Sequence, residues 1–210
     1  ISLKVNPAEK SISGTTIVTA NIVQPINVFV LDLDTPLNVS DVSLGTTKLR
    51  FERKGGKIWS YLPLTKQAGE TISVKVTYSG VPRVAPRAPW IGGFMWEKTP
   101  SGAPWIATAF QNDGADVMFP CKDYPSDKAE SVAIRITVPN NLYAASAGKL
   151  QKVDKNSDNT STYHWLMSNP IPNYGIVLNI APYKLLEDKY KSVSGETFPV
   201  ILYLMPENYA

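Results

Sequence analysis

With 210 residues, 43% hydrophobic and 19% charged, the chain has the composition of an ordinary globular protein that buries a sizeable core, not of a disordered or low-complexity segment. Its net charge of +3 comes from scattered Lys and Arg, without the basic stripe and interleaved aromatics of a nucleic-acid surface. No apolar run approaches the ~20 residues of a membrane-spanning helix, and a single cysteine, Cys121, excludes an internal disulfide framework and leaves the compartment open.

Alternation with period two runs from end to end, the pattern of half-buried strands. Ile1 to Val5 reads as a strand already under way in a chain that opens without Met, as a trimmed fragment would. Val18, Ala20 and Ile22 oppose Thr15, Thr19 and Asn21, and Ile72, Val74, Val76 and Tyr78 oppose Thr71, Ser73, Lys75 and Thr77. The run Ile26 to Leu33 is apolar on both faces and predicts a strand covered on both sides. Strands over 39–44, 48–53 and 57–62 follow, with turns at Gly45 and Gly55-Gly56, and the basic residues Lys48, Arg50, Arg53, Lys54 and Lys57 read as a solvated hairpin tip.

From Gly80 to Pro104 five prolines interrupt the pattern. Two short strands, 90–96 and 105–110, fit there, joined by a turn at Thr99-Pro100-Ser101-Gly102. Alternation resumes with Val132, Ile134, Ile136 and Val138; a polar hairpin tip spans 154–160; Tyr163, Trp165 and Met167 put His164 on the polar side of their strand; and further strands cover 174–180 and 197–205. The nearest approach to a helical period, 184–191, is too short for a stable helix. No repeat and no linker appears, so the fold class is all-β, a single domain over residues 1–210.

The stretch that carries chemistry runs from Phe110 to Lys128. It follows a strand, does not alternate, and is stiffened by Pro120 and Pro125, so it predicts a structured loop. Gln111, then Phe119-Pro120-Cys121-Lys122-Asp123-Tyr124-Pro125, then Lys128 and a strand ending at Val138-Pro139-Asn140-Asn141, resembles the N-terminal domain of the aminopeptidase N-type zinc metallopeptidases. Ile12-Ser13-Gly14-Thr15-Thr16 with Val30-Leu31-Asp32-Leu33 upstream, and Leu142 to Leu150 downstream, extend the resemblance over nearly the whole chain.

The resemblance implies a large twisted, saddle-shaped sheet packed on a smaller one, and a following catalytic domain that holds zinc through His-Glu-x-x-His and a further Glu. This chain has only His164 and neither that motif nor Gly-x-Met-x-Asn. A catalytic zinc needs three protein ligands and an open position. The expectation is therefore a chain without a metal or catalytic residue of its own and inactive alone, whose partners are the catalytic domain of the same polypeptide and the N-terminus of a peptide substrate. In the family, the residue at the position of Gln111 points into the cleft and helps to hold the substrate's α-ammonium or lines the first side-chain pocket; an amide oxygen accepts from an ammonium donor without adding charge. The alternative is that Gln111 pins the loop backbone. Pro120, Cys121, Asp123 and Pro125 are the structural loop, with Cys121 a small buried hydrophobe and Asp123 a cap on the N–H groups of Ser126, Asp127 and Lys128. Two readings from other classes stand beside this one: an extracellular β-module that binds carbohydrate or protein through Trp90, Trp96 and Trp105, and a pure assembly domain.

Overall fold

The alternating segments become seventeen strands in a computed structural model that describes residues 1–209, with no α-helix among them. In chain order these are β1 (Ser2–Asn6), β2 (Ser11–Asn21), β3 (Ile26–Asp32), β4 (Leu37–Leu44), β5 (Thr47–Lys48), β6 (Arg50–Lys54), β7 (Lys57–Lys66), β8 (Thr71–Gly80) and β9 (Gly93–Lys98). There follow β10 (Pro104–Ala109), β11 (Val132–Pro139), β12 (Tyr143–Ser146), β13 (Lys149–Lys155), β14 (Thr160–Met167), β15 (Leu178–Ala181), β16 (Lys184–Lys191) and β17 (Thr197–Leu204).

Eight strands form the main sheet, in the order β13-β14-β11-β1-β2-β8-β4-β5. All its neighbours are antiparallel except β1 and β11, where Leu3 lies beside Ile136. Register lines up one apolar row after another: Tyr163, Ile136, Leu3, Gly14 and Tyr78 share one face, while Thr162, Thr137, Lys4, Ser13 and Ser79 share the other. The first face is core and the second meets water.

Two smaller sheets and a hairpin complete the fold, where a single smaller sheet was expected: β12-β15-β10-β9, β3-β7-β6, and β16-β17. The main sheet is stitched to the four-stranded one by buried polar tips, since Tyr163 Oη donates to the Leu142 carbonyl at 3.1 Å and Trp165 Nε1 to that of Ala144 at 3.0 Å. Phe29, Leu31 and Leu33 enter the same core. On the other face of β3, Val28 and Val30 are half-buried, because β3 is an edge strand whose outer face is covered in part.

Several boundaries differ from those expected. Positions 184–191 form a strand, since their side chains pair with 197–204 across a hairpin. The strand expected over 174–180 begins at Leu178; Asn173–Gly175 is a 3-10 turn, entered from Pro172 and closed by the Asn173 Oδ1 acceptor for the Tyr174 N–H at 2.7 Å. Trp90 precedes β9, because Ile91 N–H bonds back to the Arg87 carbonyl at 2.8 Å and turns the chain. The basic hairpin is not all solvated: Arg53 turns inward, its Nη2 donating to the carbonyls of Leu33, Asp34 and Leu37 at 2.9, 3.0 and 3.3 Å.

Candidate functional site

The loop that carries the chemistry is built backwards from buried apolar residues. Phe110 follows β10 into the core, and Ala115, Val117, Met118 and Phe119 are buried as well, so the chain between must bulge outward. It does so in a tight turn in which the Asp113 and Gly114 N–H groups both bond to the Phe110 carbonyl, at 3.1 and 2.9 Å, leading into a 3-10 turn over Ala115–Val117. Gln111 and Asn112 sit at the outer corner and are exposed.

That corner is braced from three directions. Arg83 bridges two carboxylates, Asp113 at 2.9 Å and Asp34 at 3.3 Å, and so ties the Gln111 turn to the turn that follows β3. The other Asp113 oxygen accepts the Gly92 N–H at 2.6 Å. Asn112 Nδ2 donates to the Trp90 carbonyl at 3.4 Å. The Gln111 side chain makes no hydrogen bond among the described residues, so it does not pin the loop and its amide faces solvent.

The Pro-Cys segment is a second knot. Cys121 and Asp32 exchange backbone hydrogen bonds of 2.7 and 3.1 Å, an added rung at the end of β3. Asp123 departs from its expected role: its Oδ1 accepts from Asn173 Nδ2 at 2.6 Å, while its own N–H donates to Asp32 Oδ2 at 3.0 Å. The turn beyond it is closed by backbone instead, Asp127 N–H to the Tyr124 carbonyl at 3.0 Å. Asn173 also reaches the Lys122 carbonyl at 3.3 Å and the Cys121 sulfur at 3.8 Å. Pro120 is buried with Cys121, whereas Pro125 is exposed at the far end of the loop. The structure thus gathers Pro120, Cys121 and Asp123 around Asn173 and Asp32, and leaves Gln111 on its own braced corner.

Electrostatics argue against covalent chemistry here. Burial, then the carboxylates of Asp123 and Asp116, push the Cys121 thiol well above its ordinary value, so it stays protonated and inert. Burial first, and then the carboxylates of Asp123, Asp34 and Asp32, raise Asp116 to about 6, with Arg83 opposing them. His164 lies elsewhere, its Nε2 2.8 Å from Asp154 across the β13–β14 pair. Among the described residues no group of three or more His, Cys, Asp and Glu could hold a metal ion, so the side chains present do not fit a zinc site.

The tryptophans do not make a common platform. Register sets Trp96 beside Ile106 and Trp105 beside Glu97, on opposite faces of the β9–β10 pair. Trp96 stacks on Phe94 with centroids 5.4 Å apart. Residues that sequence reasoning passed over are Arg83, Asp113 and Asn173. Asp113-Gly114 was legible as a turn dipeptide, but nothing local marks Asn173 as the partner of Asp123.

Residues 1–174 match the Peptidase M1 N-terminal domain family. The chain belongs to that family. It is 30% identical over 175 residues to leucine aminopeptidase 2 of Vanderwaltozyma polyspora, a stretch covering 80% of this chain and 24% of that protein. The crystal structure of an M1 zinc metallopeptidase from Deinococcus radiodurans superposes with a TM-score of 0.81 at 25% identity, covering 95% of this chain and 45% of that one. A two-domain M1 zinc metallopeptidase mutant bound to L-arginine superposes with a TM-score of 0.80 at 25% identity and the same coverage. This M1 N-terminal domain therefore spans about a quarter of its curated relative's length and under half of the solved ones. Zinc is a property of the family, with no place among the described residues of this domain.

Proposed function

We propose that this chain is the substrate-facing, non-catalytic domain of a zinc-dependent aminopeptidase: it docks on the catalytic domain of the same polypeptide and lends the Gln111 amide to the substrate's free α-ammonium. The observation that carries the reading is the state of Gln111, an exposed amide without an internal hydrogen bond on a turn that is immobilised by Asp113, Arg83 and Asn112. A side chain held ready and left unsatisfied is what recognition of a donor-only ligand requires. A neutral acceptor suits an ammonium, which has three donors and no acceptor, and adds no negative charge to compete with it for a metal. Pre-set loop geometry lowers the ordering cost of binding.

The catalytic domain would supply the zinc and its bound water; this domain's part is to orient the peptide terminus. The experiment is kinetic, on the polypeptide extended through its catalytic domain. Gln111→Ala is expected to lower kcat/KM for aminoacyl reporters about tenfold or more, since a hydrogen bond to a charged group is worth about 1.5–3 kcal/mol. N-blocked peptides, which lack the ammonium, should lose nothing further. Equal kcat/KM for both proteins would remove Gln111 from recognition.

A further inference from the structure

The basic residues around the β6–β7 hairpin fall into two groups. Lys48 lies 3.7 Å from the Asp41 carboxylate, Arg50 lies 3.2 Å from that of Glu52, and Lys57 is paired with Asp32. Arg53 and Lys54 have no carboxylate partner among the described residues. These two are also the charged residues that line a cavity of about 230 Å³ between the Gly55-Gly56 tip and the turn that leads into β4. Its volume is several times the ~30 Å³ that a water occupies in the liquid.

The walls of the cavity are fixed by backbone. The Gly56 carbonyl accepts the Leu33 N–H at 2.9 Å and the Asp34 carbonyl accepts the Leu37 N–H at 3.1 Å, while Arg53 Nη2 spans the carbonyls of Leu33, Asp34 and Leu37. The guanidinium is only half satisfied in this way. Arg53 Nη1 is buried and finds no acceptor among the described residues, although buried polar groups are as a rule hydrogen-bonded. Burial holds the Arg53 pKa below its ordinary value, and the carboxylates of Asp34 and Asp116 offset this only in part. No Asp or Glu lines the cavity. Its other polar side chains are the Thr35 hydroxyl and the Asn38 amide, both exposed and neither bonded to another described side chain. Every polar side chain that lines it can therefore donate.

We propose that this cavity binds a phosphate group, free or carried on a small ester, with Arg53 and Lys54 as its cations and Thr35 and Asn38 as its neutral donors. Two cations without carboxylate partners at one cavity favour an oxyanion, because charge-assisted hydrogen bonds are about twice as strong as neutral ones. A planar guanidinium matches the spacing of phosphate oxygens. A tetrahedral oxyanion of two charges engages both cations and still has oxygens for the hydroxyl and the amide, which a carboxylate or a halide does not. The hydroxyl and the amide carbonyl can also accept, so a protonated phosphate oxygen fits as well. Phosphate binding here does not depend on the role of Gln111.

The test is equilibrium dialysis of the full polypeptide against radiolabelled inorganic phosphate and, separately, glycerol 3-phosphate, at constant ionic strength. Saturable binding of either supports the site, and the stronger of the two tells free phosphate from an ester. Sulfate should compete, whereas acetate and chloride should not. Because Arg53 also holds three carbonyls, the variant that separates binding from folding is Lys54→Glu, at an exposed position. It should weaken binding at least about tenfold by removing one charge-assisted contact, and Lys54→Arg should retain it. Hydrogen exchange at residues 33–39 and 53–57 of the unsubstituted protein should slow when phosphate is added. Absence of saturable binding for both probes overturns the proposal. So does binding that Lys54→Glu leaves unchanged, which would put the phosphate elsewhere in the polypeptide, and so does equal competition by chloride, which would reduce the effect to screening of surface charge.

Discussion

Asp116 illustrates how the loop's order is obtained at an electrostatic cost. Its carboxyl is raised from an ordinary 3.8 to about 6 by burial and by Asp123, Asp34 and Asp32, and Arg83 offsets only part of this. Between those two values the folded state holds a proton that the unfolded state has released, so stability falls as pH rises. Asp116's contribution is fully present below about 4 and lost through about 6, the window set by that shift. The group is partly open to solvent, which screens the effect, and Asp116→Asn is expected to stabilise the domain at pH 7 by on the order of 1 kcal/mol. Urea unfolding of both proteins at pH 4, 5, 6 and 7 checks it: the variant should show the flatter profile, and parallel profiles would mean that the carboxyl is already ionised across the range. Position alone, two residues after a turn glycine, does not announce this carboxyl. What raises it is burial first, and then the approach of Asp123 from its own loop and of Asp34 and Asp32 from the far end of β3.

At the scale of elements, two glycines with similar positive φ separate local turn chemistry from tertiary packing. Gly56 has φ 71° at the β6–β7 hairpin, where an added Cβ would meet nothing within 4 Å. Gly114 has φ 84° at the entrance to the 3-10 turn, where a Cβ would collide with the Asp123 carboxylate. Gly56→Ala is expected to cost about 1 kcal/mol, the strain of a left-handed conformation alone. Gly114→Ala should cost about 2–4 kcal/mol, because the clash adds displacement of the Asp123–Asn173 contact. Chemical denaturation of the two variants measures the difference, and equal losses would show that the loop gives way at no cost. The Gly55-Gly56 turn was readable from its dipeptide, and the alternating strands β2, β8, β11 and β14 from their period. The strand β16 was not, since Leu185, Leu186 and the charges after them fit neither period well and only pairing with β17 settles the matter.

The molecule as a whole has one continuous core, to which β1, β2, β3, β4, β7, β8, β9, β10, β11, β12, β14 and β15 all contribute buried side chains. The first strand lies in the middle of the main sheet, between β2 and β11. Unfolding is therefore expected to be a single calorimetric transition with matching van 't Hoff and calorimetric enthalpies, and deletion of residues 1–6 should abolish it rather than trim an end. Two resolved transitions, or a truncated chain that retains β11–β14 protection in hydrogen exchange, would divide the domain.

By itself the sequence determined what depends on neighbours a few residues apart: an all-β chain, most strands and turns, a stiff loop after β10 and the M1 resemblance carried by Gln111 and the Pro-Cys segment. Alternation, proline and glycine act over such spans, so they survive in the one-dimensional record. Tertiary structure alone decided what is contributed by partners far apart in the chain. Asn173 meets Asp123 across 50 positions and Asp123 meets Asp32 across 91. Arg83 joins Asp34 to Asp113, Arg53 leaves its solvated hairpin for three carbonyls, and β16 finds its partner in β17. No periodicity encodes those meetings, because each is fixed by where the sheets bring the backbone and by the need of every buried polar group for a partner.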